Sequence, residues 1–179
     1  MLIEHARSFL LLVDLQEKLM PAMVEPDWLG RQIGVLLAAA RELAVPVVAS
    51  EQYPTGLGPT VANIAGKLQQ SEIFAKTEFS CYANPALRRR FEAAGDQVVV
   101  AGIEAHVCVL QTALDLRAAG RSVFVVADAV SSRRPESREI ALQRLAANGV
   151  TLVTVEMVLF EWLRRADRPE FKPVSRLIR

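Results

Sequence analysis

A chain of 179 residues, 51% apolar and 23% charged, has the length of one domain and too much hydrophobic content for a disordered segment. Its 21 basic and 20 acidic residues leave a net charge of +1, too even for a nucleic-acid grip or a polybasic membrane surface. The longest apolar runs, Phe9–Val13 and Val35–Ala40, fall far short of the ~20 residues that a membrane-spanning helix needs.

In chain order, Glu4 and His5 come first, where a secretory leader would carry basic residues before a long apolar stretch. Phe9–Val13 (FLLLV) is a continuous apolar run that stops at Asp14, the pattern of a strand buried on both faces. After Asp27 as N-cap, Leu29, Ile33, Leu36, Leu37, Ala40 and Leu43 recur at helical spacing until Pro46 ends the helix. Val47–Ala49 predicts a second strand, Glu51–Pro59 a turn-rich loop, Thr60–Leu68 a short helix and Ile73–Ala75 a brief strand. Asn84 and Pro85 open a further helix as cap and first residue, and Gly95 takes its left-handed C-cap position. Val98–Ala101 predicts a strand, His106–Ala119 a helix closed by Gly120, and Val123–Ala127 a strand ending at Asp128. Pro135 opens a helix that carries Ile140, Leu142, Leu145 and Ala146 and stops at Gly149. A strand at Val150–Val153, a helix at Glu156–Arg164 and a basic tail at Arg168–Arg179 complete the chain. Strand–helix alternation repeated about six times implies a parallel sheet with helices on both faces. The expected fold is one doubly wound, three-layer α/β/α domain over residues 1–179.

In such a sheet, ligands bind beyond the carboxyl ends of the strands, where strand order reverses. Asp14 follows the first strand, Glu51 and Gln52 the second, Lys76 the third and Asp128 the fifth. Cys108 lies in the first turns of the helix after the fourth strand, and a strand order of 3-2-1-4-5-6 makes it face Asp14. An ordinary thiol, with pKa ~8.5, is only about 3% thiolate at neutral pH. A helix's positive end and a nearby ammonium would raise that fraction. Cys108 therefore reads as a nucleophile, Lys76 as the ammonium and Asp14 as the base that takes the thiol proton. Each also has a plainer reading: a small buried filler, a solvated surface lysine, and a cap or loop anchor.

Other candidates carry less. Cys81 reads as pocket lining or core, and His106, two helical positions from Cys108, points well away from it. His5 and His106 have no ligand cluster around them, so neither a metal site nor a cofactor is expected. Two cysteines do not make a disulfide framework, which favours reduced thiols in the cytoplasm. Gly56–Val61 begins like a dinucleotide loop, but it lacks the third glycine and follows the second strand. The runs Arg88–Arg90, Arg133-Arg134 and Arg164-Arg165 read as solvated faces.

With Asp14, Lys76 and Cys108 in hand, the chain resembles the isochorismatase-like cysteine hydrolase superfamily over nearly its whole length. The resemblance rests on LLVDLQEKL, FAKTEFSCY and VVVAGIEAHVCVLQTALDL, followed by VADAVSSR. With SEQYPTGLGPTV, these blocks look most like the isochorismatase domain-containing subgroup. Resemblance implies a six-stranded parallel sheet, an Asp14–Lys76–Cys108 triad and assembly into homo-oligomers. It also implies a cis peptide between Ile103 and Glu104, aiming the backbone N–H groups of Glu104 and Cys108 at an oxyanion. Gln16, Tyr53, Phe79 and Tyr82 are assigned to the substrate pocket wall.

Two departures narrow the chemistry. Nicotinamidases carry an Asp-x-His metal motif after the second strand, where this chain has Gln52 and Pro54. True isochorismatases cleave a vinyl ether by acid catalysis and lack the cysteine. The expected activity is hydrolysis of a small amide or related acyl compound through a thioester, with no nucleic-acid or membrane partner. The competing readings are a vinyl-ether hydrolase with Asp14 as acid, a flavodoxin-like nucleotide-binding module, and a non-catalytic oligomeric scaffold.

Overall fold

The computed structural model describes residues 1–178, so Arg179, the end of the basic tail, lies outside them. Six parallel strands form one sheet: β1 (Ser8–Val13), β2 (Val47–Gln52), β3 (Ile73–Lys76), β4 (Gln97–Ile103), β5 (Ser122–Ser131) and β6 (Thr151–Val153). Their order is β3-β2-β1-β4-β5-β6, which puts the switch point between β1 and β4. Among the described residues, eight α-helices join or follow them: α1 (Pro26–Glu42), α2 (Pro54–Leu57), α3 (Ala62–Ala65), α4 (Pro85–Glu92), α5 (Leu110–Ala118), α6 (Pro135–Ala147), α7 (Val155–Leu163) and α8 (Phe171–Arg176).

The unbroken apolar run of β1 has its cause in two cores, because neighbouring side chains of a strand point to opposite faces. Leu10 and Leu12 join Val47, Val99 and Phe124 beneath Ile33, Leu36 and Trp162 of α1 and α7. Phe9, Leu11 and Val13 join Val48, Val98 and Val125 beneath Phe91, Leu116 and Leu145 of α4, α5 and α6.

Several boundaries differ from expectation, each for a local reason. Glu25 in a left-handed conformation and Pro26 start α1, so Asp27 lies in its first turn instead of capping it. The helix expected over Thr60–Leu68 shrinks to Ala62–Ala65. Thr60 is held extended by a bridge to Gln16, and its N–H and hydroxyl both donate to Glu51 Oε1, at 2.7 and 2.8 Å. Glu51 is thereby occupied by the loop and does not face the crevice. Gly95 takes φ +139°, not a left-handed cap, and a Cβ there would lie 2.3 Å from the Arg7 carbonyl oxygen. The basic tail is in part a docked helix: Val174 of α8 is buried, with Phe171, Leu177 and Ile178 packed on the same core.

Strand β5 outruns its prediction because it bulges. Between the pairs Val100↔Val125 and Gly102↔Val130, β4 advances two residues while β5 advances five. Arg138 donates to the freed carbonyls of Ala127 and Val130. Asp128, expected at the crevice, is instead a brace, accepting from Gln32 Nε2 at 3.0 Å and from the Val155 N–H at 2.9 Å.

At the switch point β1 and β4 approach unusually closely. Gly102 has φ +123°, and a Cβ on it would lie 2.2 Å from Val13 O and 2.6 Å from Val13 N. Both the conformation and the space therefore require glycine beside the residue that precedes Asp14. Gly102→Ala should cost roughly 2–5 kcal/mol by strain and overpacking, read as a fall in the urea midpoint. A variant as stable as the native chain would refute the close approach.

Candidate active site

The two halves of the sheet deliver the predicted residues to one place. Strand β1 ends at Val13, and Asp14 turns out of the sheet at φ +52°, a left-handed conformation that Asp tolerates better than most residues. Register then sets its neighbours: Ser50 of β2 pairs with Val13, and Gln52 pairs with Lys76 at the end of β3. Lys76 thus ends a strand and does not follow one, and its side chain is fully buried.

Lys76 Nζ donates to Asp14 Oδ2 at 2.8 Å, to Gln52 Oε1 at 2.5 Å, and to the carbonyls of Glu78 and Phe79 at 3.2 and 3.3 Å. Three ammonium protons so face four acceptors, and the charge is well satisfied. Burial opposes the charged form, but the charge of Asp14 and its hydrogen bond to the ammonium favour it, and the Lys76 pKa stays above its ordinary value. The other Asp14 oxygen, Oδ1, accepts from Ser50 Oγ at 2.6 Å, and Ser50 Oγ in turn accepts from Cys81 Sγ at 3.4 Å.

Cys108 stands on a π-helical turn, Ala105–Val109, that precedes α5, where an ordinary α-helical start was expected. It is 6% exposed. Its thiol departs from the expectation of a preformed thiolate. Burial, then the charge of the nearby Asp14 carboxylate, push its pKa well above the ordinary thiol value, and Lys76 only partly offsets them. Lys76 spends its charge on Asp14, so Cys108 rests as a neutral thiol.

The Ile103–Glu104 peptide bond is cis. Among the described residues the Glu104 N–H donates to no backbone or side-chain acceptor. The Glu104 carboxylate accepts from the Arg133 backbone N–H and Nε, both at 3.1 Å, which ties the turn to the end of β5. His106 Nδ1 meets Ser132 Oγ at 2.9 Å, so it serves this turn and not the thiol.

The four pocket-wall assignments divide. Gln16 is a correction, because it is fully buried with both ends of its amide engaged. Its Nε2 donates to the carbonyls of Gln52 and Gly58 at 2.9 and 2.7 Å, and its Oε1 accepts from the Gln52 N–H at 2.7 Å. It clasps the loop after β2. Tyr53 is 56% exposed and shares a cavity of about 230 Å³ with Lys76, Thr77, Glu78 and Asn84. Phe79 is 53% exposed, and Tyr82 is half-buried under the Arg88 guanidinium, 5.2 Å from its ring centre. A second cavity of about 460 Å³ lies beside the cis turn, lined by His106, Arg133, Arg134 and Ser137. Larger grooves of about 540 and 980 Å³ lie along α1, away from Asp14, Lys76 and Cys108.

Sequence reasoning missed Ser50, Gln52 as the partner of Lys76, and Ser80, a buried hydroxyl without a partner among the described residues. The signal for the first two was polar residues inside a strand otherwise buried on both faces. Among the described residues no cluster of three or more His, Cys, Asp or Glu side chains could hold a metal ion, and no helix is long and apolar enough to cross a membrane.

Comparison with known proteins adds four findings. A family model for the isochorismatase domain matches residues 8–157. Isochorismatase domain-containing protein 2 of Danio rerio is 40% identical over 173 residues, covering 96% of this chain and 86% of that protein. Among solved structures, a MAR1 ribonuclease from Caenorhabditis elegans superposes with TM-score 0.94 at 38% identity, over 99% of this chain and 92% of its own. The YcaC gene product of Escherichia coli, an octameric hydrolase of unknown specificity, superposes with TM-score 0.93 at 25% identity, over 99% and 89%.

Protonated buried thiols make stability fall in alkali. Burial first, then the Asp14 charge, push the Cys81 pKa from 9.0 to about 11. Between those values the folded state holds a proton that the unfolded state has released, so stability declines as pH rises from 9 to 11. Cys81 should contribute about 1.4 kcal/mol per pH unit across that window. Urea titrations should show the native slope and a shallower one for Cys81→Ala. Equal slopes would contradict the assignment.

Proposed function

Because the chain belongs to the isochorismatase family, on a domain match spanning residues 8–157 and a 40% identical relative, we propose that it is a cysteine hydrolase acting on a small amide or related acyl compound. The observation that carries this reading is the Asp14 carboxylate paired with the buried Lys76 ammonium at 2.8 Å, with its charge acting on the Cys108 thiol.

In the first step Asp14 takes the Cys108 proton as the sulfur attacks the substrate carbonyl carbon. A neutral thiol next to a carboxylate suits this order, since proton transfer and attack proceed together and no charged thiolate waits in the apolar site. The carbonyl oxygen becomes an oxyanion, accepting from the Glu104 and Cys108 backbone N–H groups. Loss of one such donor typically costs 10²–10³ in rate. Lys76 stays protonated throughout and holds the carboxylate in place. Asp14 returns the proton to the departing amine, leaving a thioester on Cys108. Water then attacks the thioester, Asp14 takes the water's proton and passes it to the leaving sulfur, and the acid is released.

Tyr53, Phe79 and Tyr82 form the outer wall of the pocket. Both cysteines are free thiols, as the cytoplasm would keep them. Trp28, Ile140, Met157 and Phe160 are exposed large apolar groups suited to contacts in a homo-oligomer, and the YcaC relative is octameric.

The test is turnover and intact mass with a panel of amides, esters, ureides, vinyl ethers and an oligoribonucleotide. Native protein should turn over an acyl compound and carry its acyl group. Cys108→Ala should do neither, and Asp14→Asn should lose ~10²–10⁴ in rate. Retained activity in Cys108→Ala with loss in Asp14→Asn would favour vinyl-ether cleavage instead. RNA cleavage independent of Cys108 would overturn the acyl-transfer reading.

A further inference from the structure

We propose that Ser50 and Cys81 form a directed hydrogen-bond relay that positions the Asp14 carboxylate for proton exchange with Cys108. The proposal rests on the reading of Cys108 as the nucleophile. Neither residue touches substrate in the proposed reaction, so both are positioning residues.

Direction follows from counting protons. Ser50 Oγ lies 2.6 Å from Asp14 Oδ1, a distance characteristic of a hydroxyl bonded to an ionised carboxylate. A carboxylate has no proton to give and a serine hydroxyl has one, so Ser50 must donate to Asp14. Only the lone pairs of Ser50 then remain for Cys81, whose Sγ lies 3.4 Å away and must be the donor. Cys81 is fully buried, and burial keeps its thiol protonated to about 11, so it remains a donor at every pH at which Asp14 can act as a base. A donating neighbour on its lone-pair side denies the Ser50 proton any other acceptor.

The relay is anchored at both ends. The Cys81 N–H donates to Thr112 Oγ1 at 2.9 Å, and Thr112 is a fully buried residue of α5, the helix that continues from the Cys108 turn. Ser50 sits in β2 opposite Val13, and the Asp14 N–H donates to the Ser50 carbonyl at 3.1 Å. Asp14 is thus gripped by backbone and side chain of the same residue. With Oδ1 committed to Ser50 and Oδ2 to Lys76, the carboxylate cannot rotate and is presented in one orientation. Removing the hydroxyl leaves Oδ1 buried without its donor, which favours the protonated form of the Asp14–Cys108 pair and frees the carboxylate to turn.

The test is the pH profile of Cys108 alkylation by iodoacetamide in the full chain, read by intact mass with Cys108→Ala as control for Cys81. Ser50→Ala should move the acid limb up by about one pH unit, a tenfold slower reaction at a fixed pH on that limb. Cys81→Ala should move it the same way by less, and it carries the test by itself if Ser50→Ala does not fold. A folded Ser50→Ala whose profile superposes on the native one overturns the proposal. An unmoved Cys81→Ala profile overturns the relay. If native Cys108 shows only an ordinary thiol's pH dependence, the nucleophile reading fails and takes the relay with it.

Discussion

A buried ion pair between Lys76 and Asp14 sets the terms for everything around it. Two charges removed from water lose several kcal/mol of hydration each, and their mutual attraction repays this only when every remaining donor and acceptor is satisfied. The surroundings do so from four directions: Ser50 on one carboxylate oxygen, and Gln52 and the carbonyls of Glu78 and Phe79 on the ammonium. Those partners come from β2 and from the loop after β3, so the pair fixes that loop as much as the loop buries the pair. Cys108 is then placed against a carboxylate whose geometry is already decided.

The sheet makes this possible by its order. Because β1 lies between β2 and β4, Asp14 has the lysine side of the site on one flank and the cysteine turn on the other. Gly102 removes the one side chain that would hold β1 and β4 apart just before Asp14. Farther along, the β5 bulge sends Asp128 away from the site to brace α1 and α7, while the end of the same strand leads to Arg133 and the Glu104 carboxylate. In the proposed reaction one sheet edge therefore supports two separate tasks, proton handling at β1–β3 and shaping of the turn at β4–β5.

Much of this was readable from residues alone, for identifiable reasons. An apolar run such as Phe9–Val13 ends where a strand buried on both faces ends, so Asp14 was found by pattern. Lys76 and Cys108 were found by their places after successive strands, and the domain match to residues 8–157 agrees with the resemblance drawn from the same motifs. What escaped was set by contacts distant in sequence. Thr60 fails to join a helix because Gln16 and Glu51 hold it, and Gln16 leaves the pocket wall because two loop carbonyls take its amide. The Cys108 thiol moved in the direction opposite to expectation, because burial and the charge of Asp14 outweigh the ammonium of Lys76. No local pattern reports which of two opposing charges a buried thiol meets first.

That reversal carries the central claim, that the nucleophile rests protonated and gives its proton to Asp14 during attack. Ultraviolet thiolate absorbance, titrated in the native chain against Cys108→Ala, measures it directly. The account predicts no thiolate signal from Cys108 at neutral pH, with its rise displaced above that of an ordinary thiol. A thiolate signal assigned to Cys108 at neutral pH would contradict it and return the site to a preformed ion pair.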